Sequence, residues 1–251
     1  MFVREKGGDE TMFVAERITK KIGTKTILND VNLKIAQGDF VCVLGANGAG
    51  KSTLLKTLSL QMKPSGGKVF FQGMDATKEG GKISRRLGVI SHQTFLYEQL
   101  TAYENLQFYG RMYGVRPLEE RIDRVIREVG LEFALHERVQ SFSRGMQQRL
   151  AIARAILHSP EILFLDEPHT GLDPQAIDRF NQILMQFHSE GGTIIMVTHN
   201  TEEGLLLANK VIVVSRGRVV YQGATKDLNK VDIKTLYWAN GGGEDKLPQS
   251  N

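Results

Sequence analysis

The chain has 251 residues, of which 41% are hydrophobic, 24% charged and 8% aromatic, the composition of a globular protein of one or two domains and not of a disordered chain. Its longest apolar run is five residues, Phe40 to Leu44, against the roughly 20 that a membrane-spanning helix needs. Its one cysteine, Cys42, excludes an internal disulfide and a cysteine-based zinc site and suits a reducing compartment, while a net charge of +4 from interspersed basic and acidic residues forms no basic stripe, so no nucleic-acid partner is expected.

Taken in chain order, residues 1 to 11 read as a tail without the apolar stretch of a secretory signal. Ile18 to Gln37 alternates and carries turn signals at Gly23 and Asn29-Asp30, which predicts an antiparallel β portion. Phe40 to Leu44, Ile162 to Leu165, Ile194 to Val197 and Val211 to Val214 are continuous apolar runs. Such runs are the mark of strands buried on both faces of a mostly parallel sheet. The middle, about 87 to 158, reads as helical, with a helical subdomain over about 95–158. Thr101 and Glu104 have capping-box spacing, Leu118 to Val129 has the period of an amphipathic helix, and Gly130 closes it. Residues 240 to 251 read as a second tail. The fold class is therefore α/β, a phosphate-loop core with an N-terminal antiparallel portion and an inserted helical lobe.

Gly45-Ala46-Asn47-Gly48-Ala49-Gly50-Lys51-Ser52 matches the G-x-x-x-x-G-K-[ST] phosphate loop, placed between a buried strand and a helix that can bury Leu54, Leu55 and Leu58. Glycines let successive backbone N–H groups curl into one concavity, and the helix N-terminus adds partial positive charge. Lys51 suits the β- and γ-phosphates, Ser52 suits Mg²⁺, and Thr53 can reach a further phosphate oxygen. Downstream, Ile162 to Leu165 ends in Asp166 and Glu167. Ligands of parallel sheets gather beyond the strand C-termini, so this pair would face the same crevice. Asp166 suits Mg²⁺, and Glu167 is placed to polarise a water attacking the γ-phosphate. The expected cofactors are ATP and Mg²⁺.

Phe142-Ser143-Arg144-Gly145-Met146-Gln147-Gln148-Arg149-Leu150 then precedes the acidic pair, with Gly171-Leu172-Asp173 just after it and His199 at the end of a sheet strand. These residues resemble, in order, the signature, D-loop and switch histidine of the ATP-binding cassette family, over about residues 12–230. Read alone, Ser143 is a helix N-cap and Gly145 permits close backbone approach, which makes a second anion-binding helix start. The resemblance implies that Ser143 and Gly145 close over the phosphate loop of a second cassette in a head-to-tail homodimer, or a pair with another cassette, holding two ATP. It also implies that Asp173 and His199 complete the site, that an integral membrane transporter subunit is the partner, and that the chain works at the cytoplasmic face of the membrane. Its short C-terminus resembles export-type subunits, haem exporters among them.

Four positions depart from the family pattern. His92 occupies the usual Q-loop glutamine position with Gln93 beside it, so either is the candidate sensor; Ile22 stands where an aromatic normally stacks on adenine; Arg144 and Phe142 replace a glycine and a leucine of the signature. Of the aromatics between 95 and 113, Phe95 and Tyr97 are the expected anchors for the membrane subunit. The competing reading is a soluble cassette ATPase acting on nucleic acid or ribosomes. Such proteins usually carry a long coiled coil or two cassettes, whereas here 92 residues without sustained heptads separate Lys51 from Ser143.

Overall fold

A computed structural model describes residues 11–91 and 93–228; His92 and the residues before and after that range, including the expected tail at 240 to 251, lie outside the described residues. Thr11, expected in the first tail, is the first residue of strand β1 (Thr11–Ile22), which pairs antiparallel with β2 (Lys25–Ala36). After β3 (Phe40–Leu44) and α1 (Lys51–Leu58) come β4 (Gly66–Phe71), β5 (Met74–Asp75), α2 (Ala76–Ser84) and β6 (Leu87–Ile90). Helices α3 (Ala102–Tyr113), α4 (Leu118–Glu128) and α5 (Arg144–Ile156) follow, then β7 (Ile162–Asp166), α6 (Pro174–Ser189), β8 (Thr193–Val197), α7 (Thr201–Leu207), β9 (Lys210–Ser215) and β10 (Arg218–Ala224).

Two sheets result. One is antiparallel in the order β2-β1-β4-β5; the other runs β10-β9-β3-β8-β7-β6 and is parallel except for its β10 edge. The continuous apolar runs explain the second sheet. In β3, Phe40, Cys42 and Leu44 face one core while Val41 and Val43 face the other, and the same alternation divides Leu163 and Leu165 from Ile162 and Phe164 in β7. Each such side chain, fully buried, contributes about 1.5–3 kcal/mol of transfer free energy. One core lies between the two sheets around α1. The other continues from the parallel sheet into the helical lobe, where Leu106, Ile122, Val125 and Ile126 join Leu163 and Ile194 in a single cluster.

The expected caps are present. The backbone N–H of Glu104 donates to Thr101 Oγ1 at 3.1 Å and that of Thr101 to Glu104 Oε2 at 2.8 Å, while Gly130 follows α4 in the left-handed region with φ +62°. One reading of the middle segment is corrected. Residues 87 to 90 are strand β6, parallel to β7, and not part of a helical stretch. Four residues interrupted by a glycine carry little periodic signal, and the glycine answers a tertiary demand: a Cβ on Gly88 would stand 2.6 Å from the Ala155 carbonyl oxygen of α5.

Candidate active site

The phosphate loop links β3 to α1, as its motif requires. Gly50 caps the helix with φ +105°, a backbone that L side chains rarely adopt. Ala46, Asn47 and Gly48 are exposed, whereas Ala49, Gly50 and Lys51 are buried. The Lys51 ammonium donates to the carbonyls of Gly45 and Ala46 at 2.7 and 3.0 Å, which uses two of its three protons. Burial holds its pKa below the ordinary lysine value, opposed by the negative charges of Glu167 and Asp166.

Those carboxylates stand at the end of β7. Asp166 is buried as the last strand residue, and Ser52 Oγ donates to its Oδ1 at 3.0 Å, so the two oxygens expected at one cation are already neighbours. Glu167 turns out of the strand in the left-handed region, φ +53°, with its N–H donating to Val197 O of the neighbouring β8 at 2.9 Å. His199, just beyond β8, brings Nε2 against Glu167 Oε1. Thus Lys51, Ser52, Asp166, Glu167 and His199, scattered over about 150 positions, meet at the C-terminal ends of parallel strands. Thr53 is the third residue of α1, half-buried, its carbonyl accepting from the Thr57 hydroxyl.

The remaining expected residues lie on a neighbouring flank. Ser143 is the N-cap of α5, accepting from the Met146 N–H at 3.3 Å, and Gly145 approaches the Gly171 carbonyl. Among the described residues no hydrogen bond joins Ser143 or Gly145 to the phosphate loop of the same chain. Asp173 caps α6, accepting from the Ala176 N–H at 2.9 Å. Gln93, Phe95, Arg144, Gln147, Gln148 and Glu167 line a cavity of about 420 Å³.

With this geometry in hand, comparisons with known proteins are decisive. A family model described as "ABC transporter" matches residues 28–170. The chain belongs to the ABC transporter family. As the ATP-binding cassette of that family, it carries the family's ATPase chemistry. It is 39% identical to the ABC transporter ATP-binding protein NatA of Bacillus subtilis (strain 168), over 80% of this chain and 83% of that one. It is 34% identical to the linearmycin resistance ATP-binding protein LnrL of the same organism, over 86% and 70%. A solved dimeric ATP-binding cassette in a post-hydrolysis state bound to ADP and Pi superposes with a TM-score of 0.78 at 29% identity, covering 85% of this chain and 99% of that one.

The cassette's departures from its family are placed as follows. Ile22 ends β1 at the hairpin and is 52% exposed, an aliphatic side chain without a ring to stack on. The Arg144 side chain lies along Gly171 of the loop after Glu167. On the aromatic flank Phe95, Tyr97 and Phe108 are each close to half exposed, with Tyr97 and Phe108 in edge contact at 5.1 Å. Buried Asn105 fixes this flank, accepting from the Tyr97 N–H at 2.8 Å and donating to the Tyr97 carbonyl at 3.0 Å.

Sequence reading missed the cassette's inner supports. Arg154 of α5 is buried, donates to Val89 O of β6 at 2.8 Å, and lies over the rings of Tyr109 and Phe95 at 5.2 and 5.6 Å. Tyr109 in turn donates its hydroxyl to the Phe95 carbonyl. Gln148 donates to Pro168 O at 3.1 Å, tying the signature helix to the residue after Glu167. His169, Asn181 and Glu203 form a polar cluster behind Glu167. Only Gln148 had a signal, its place in the signature run; the others come from segments with no shared pattern.

Proposed function

We propose that this chain is the ATP-driven subunit of a membrane transporter. Two cassettes pair head to tail around two ATP, move a separate membrane subunit between access states by closing, and reset by hydrolysis. The observation that carries this reading is the convergence of Ser52 with Asp166 and of Glu167 with His199 beside the Lys51 loop. The donor set fits Mg²⁺: a hydroxyl and a carboxylate oxygen 3.0 Å apart are hard ligands. When bound, that ion neutralises charge on the transferred phosphoryl group.

Within the site, Lys51 and the loop amides of residues 45–53 hold the phosphates, and Ser52 and Asp166 hold the cation. Glu167 accepts a proton from the attacking water, oriented by His199, which also faces the γ-phosphate. Ser143 and Gly145 of the partner subunit close the site, supported by the place of Ser143 as the cap of a helix N-terminus that can receive an anion. His92 or Gln93 senses the occupied site, and Asp173 stands at the start of α6 on the same face. The membrane subunit docks on Phe95 and Tyr97 from the cytoplasmic side; among the described residues no helix is long and apolar enough to cross the membrane. Likeness to a resistance protein supports movement outward. One cassette over 12–230 with its helical lobe inside 95–158 is the unit that does this.

The test is the solution mass of the Glu167→Gln protein by light scattering with and without Mg-ATP. Removing the base while keeping the phosphate contacts should trap the closed pair, so the mass should double on adding Mg-ATP. A mass that Mg-ATP leaves unchanged overturns the shared-site reading.

A further inference from the structure

Glu167 and His199 touch from the ends of two paired strands, and beyond the last ladder bond, Glu167 N–H to Val197 O, the loops that carry them need a support of their own. We infer that His169, acting through Glu203, is the positioning residue that supplies it; this rests on the catalytic reading of Glu167 and His199 above. His169 lies two residues past Glu167 with its side chain 13% exposed. Its Nε2 is 3.0 Å from Asn181 Oδ1 on α6, its Nδ1 is 3.3 Å from Glu203 Oε2 on α7, and its ring meets the Phe180 ring edge-on at 5.5 Å.

Glu203 joins these contacts to the other loop. Its Oε1 accepts from Asn181 Nδ2 at 2.9 Å, its Oε2 from Asn200 Nδ2 at 3.1 Å, and its own N–H donates to Asn200 Oδ1 at 3.2 Å. Asn200 is the N-cap of α7 and the residue next to His199. One carboxylate therefore connects the loop of Glu167, helix α6 and the residue that follows His199. The polarity of the cluster is determined by chemistry. The Glu203 carboxylate only accepts, so Asn181 must turn its nitrogen to it and its oxygen to His169, which makes His169 Nε2 the donor. Nδ1 is buried within ion-pair reach of the second carboxylate oxygen without an aligned hydrogen bond. The ring thus acts as a strut between an amide oxygen and a carboxylate. His169 itself touches no reacting atom.

Misplacing a catalytic pair costs turnover far more than affinity, because most of the phosphate contacts come from Lys51 and the loop amides. His169→Ala and Glu203→Gln are each expected to lower kcat of the full chain by about tenfold with KM for Mg-ATP within about twofold. Added to His199→Ala, neither should cause a further loss, since the support matters only while His199 is present. A readout without nucleotide accompanies these rates: in protein labelled with ¹³C-histidine, the His199 ring resonance should move in both variants. Wild-type kcat in His169→Ala and Glu203→Gln with an unmoved His199 resonance overturns the inference, as does an equal fractional loss in the His199→Ala background, which would mark a merely structural residue. Wild-type turnover in His199→Ala alone instead overturns the catalytic reading of His199, and the inference with it.

Discussion

The Glu167 corner and the Phe95 flank line one cavity, and they are built on opposite plans. At Glu167 the backbone leaves a buried strand and the polar groups that meet there are bonded to one another: Ser52 to Asp166, His199 to Glu167, Gln148 to Pro168. At Phe95 the surface is aromatic and half exposed, and what is bonded lies beneath it, where Asn105 clasps Tyr97 and the guanidinium of Arg154 underlies Phe95 and Tyr109. The first arrangement favours chemistry, because preorganised polar groups need no rearrangement when charge develops. The second favours docking, because rigid aromatics lose little entropy when covered. Arg154 sits on the same helix that Ser143 caps, so the two plans share α5 as a common beam.

This contrast can be broken most severely at Glu167. Glu167→Gln should lower ATP turnover by about 10²–10⁴-fold while ATP binding, followed by nucleotide titration, stays near wild type. Wild-type hydrolysis in that variant would remove Glu167 from the role of base. At the aromatic flank, Phe95→Ala with Tyr97→Ala should weaken capture of the membrane subunit by about 2 kcal/mol or more, roughly thirtyfold in Kd, with ATP affinity unaltered. Equal loss of both would mean that the flank and the corner are not separable.

A smaller effect lies behind the flank. His158 stacks on Tyr113 at 4.0 Å, places Nε2 3.0 Å from Leu87 O, and is held by burial at a pKa of about 4. Its folded value lies below its unfolded one, so the folded state resists its protonation. The associated stability is fully present above about pH 6.5 and is lost as the pH falls toward 4, amounting to about 3 kcal/mol over that window. Thermal melts from pH 7 to 4 should show this decline, and His158→Gln should flatten it without changing ATP turnover at pH 7.

How much of this was legible in the sequence follows from where each feature's information lies. Lys51, Ser52, Asp166 and Glu167 sit in contiguous motifs beside strands whose double-sided burial shows as unbroken apolar runs, so both the sheet and the phosphate corner could be read directly. β6 could not, because four residues around Gly88 acquire strand character only from β7 and α5. The β4-β5-α2 stretch lacks a periodic apolar face of its own, α2 burying only Ile83. The cluster of His169, Asn181 and Glu203 was invisible for a third reason: each member is an ordinary polar residue on its own element, and its meaning exists only in the contact. Asp173 was read as a nucleotide-side residue, and the structure gives it a helix cap to hold as well.

Glu167 and Phe95 share one further property. Both hold non-glycine backbone in the left-handed region, at φ +53° and +55°, a conformation that costs a non-glycine residue about 1–2 kcal/mol. The cassette therefore keeps both of these loops sprung against the rest of a well-packed fold. Glu167→Gly should melt at a higher temperature than the wild type while hydrolysing almost nothing. A random search for thermostable versions of this chain would drift toward that dead variant, so heat resistance gained at position 167 is a poor guide to a working protein.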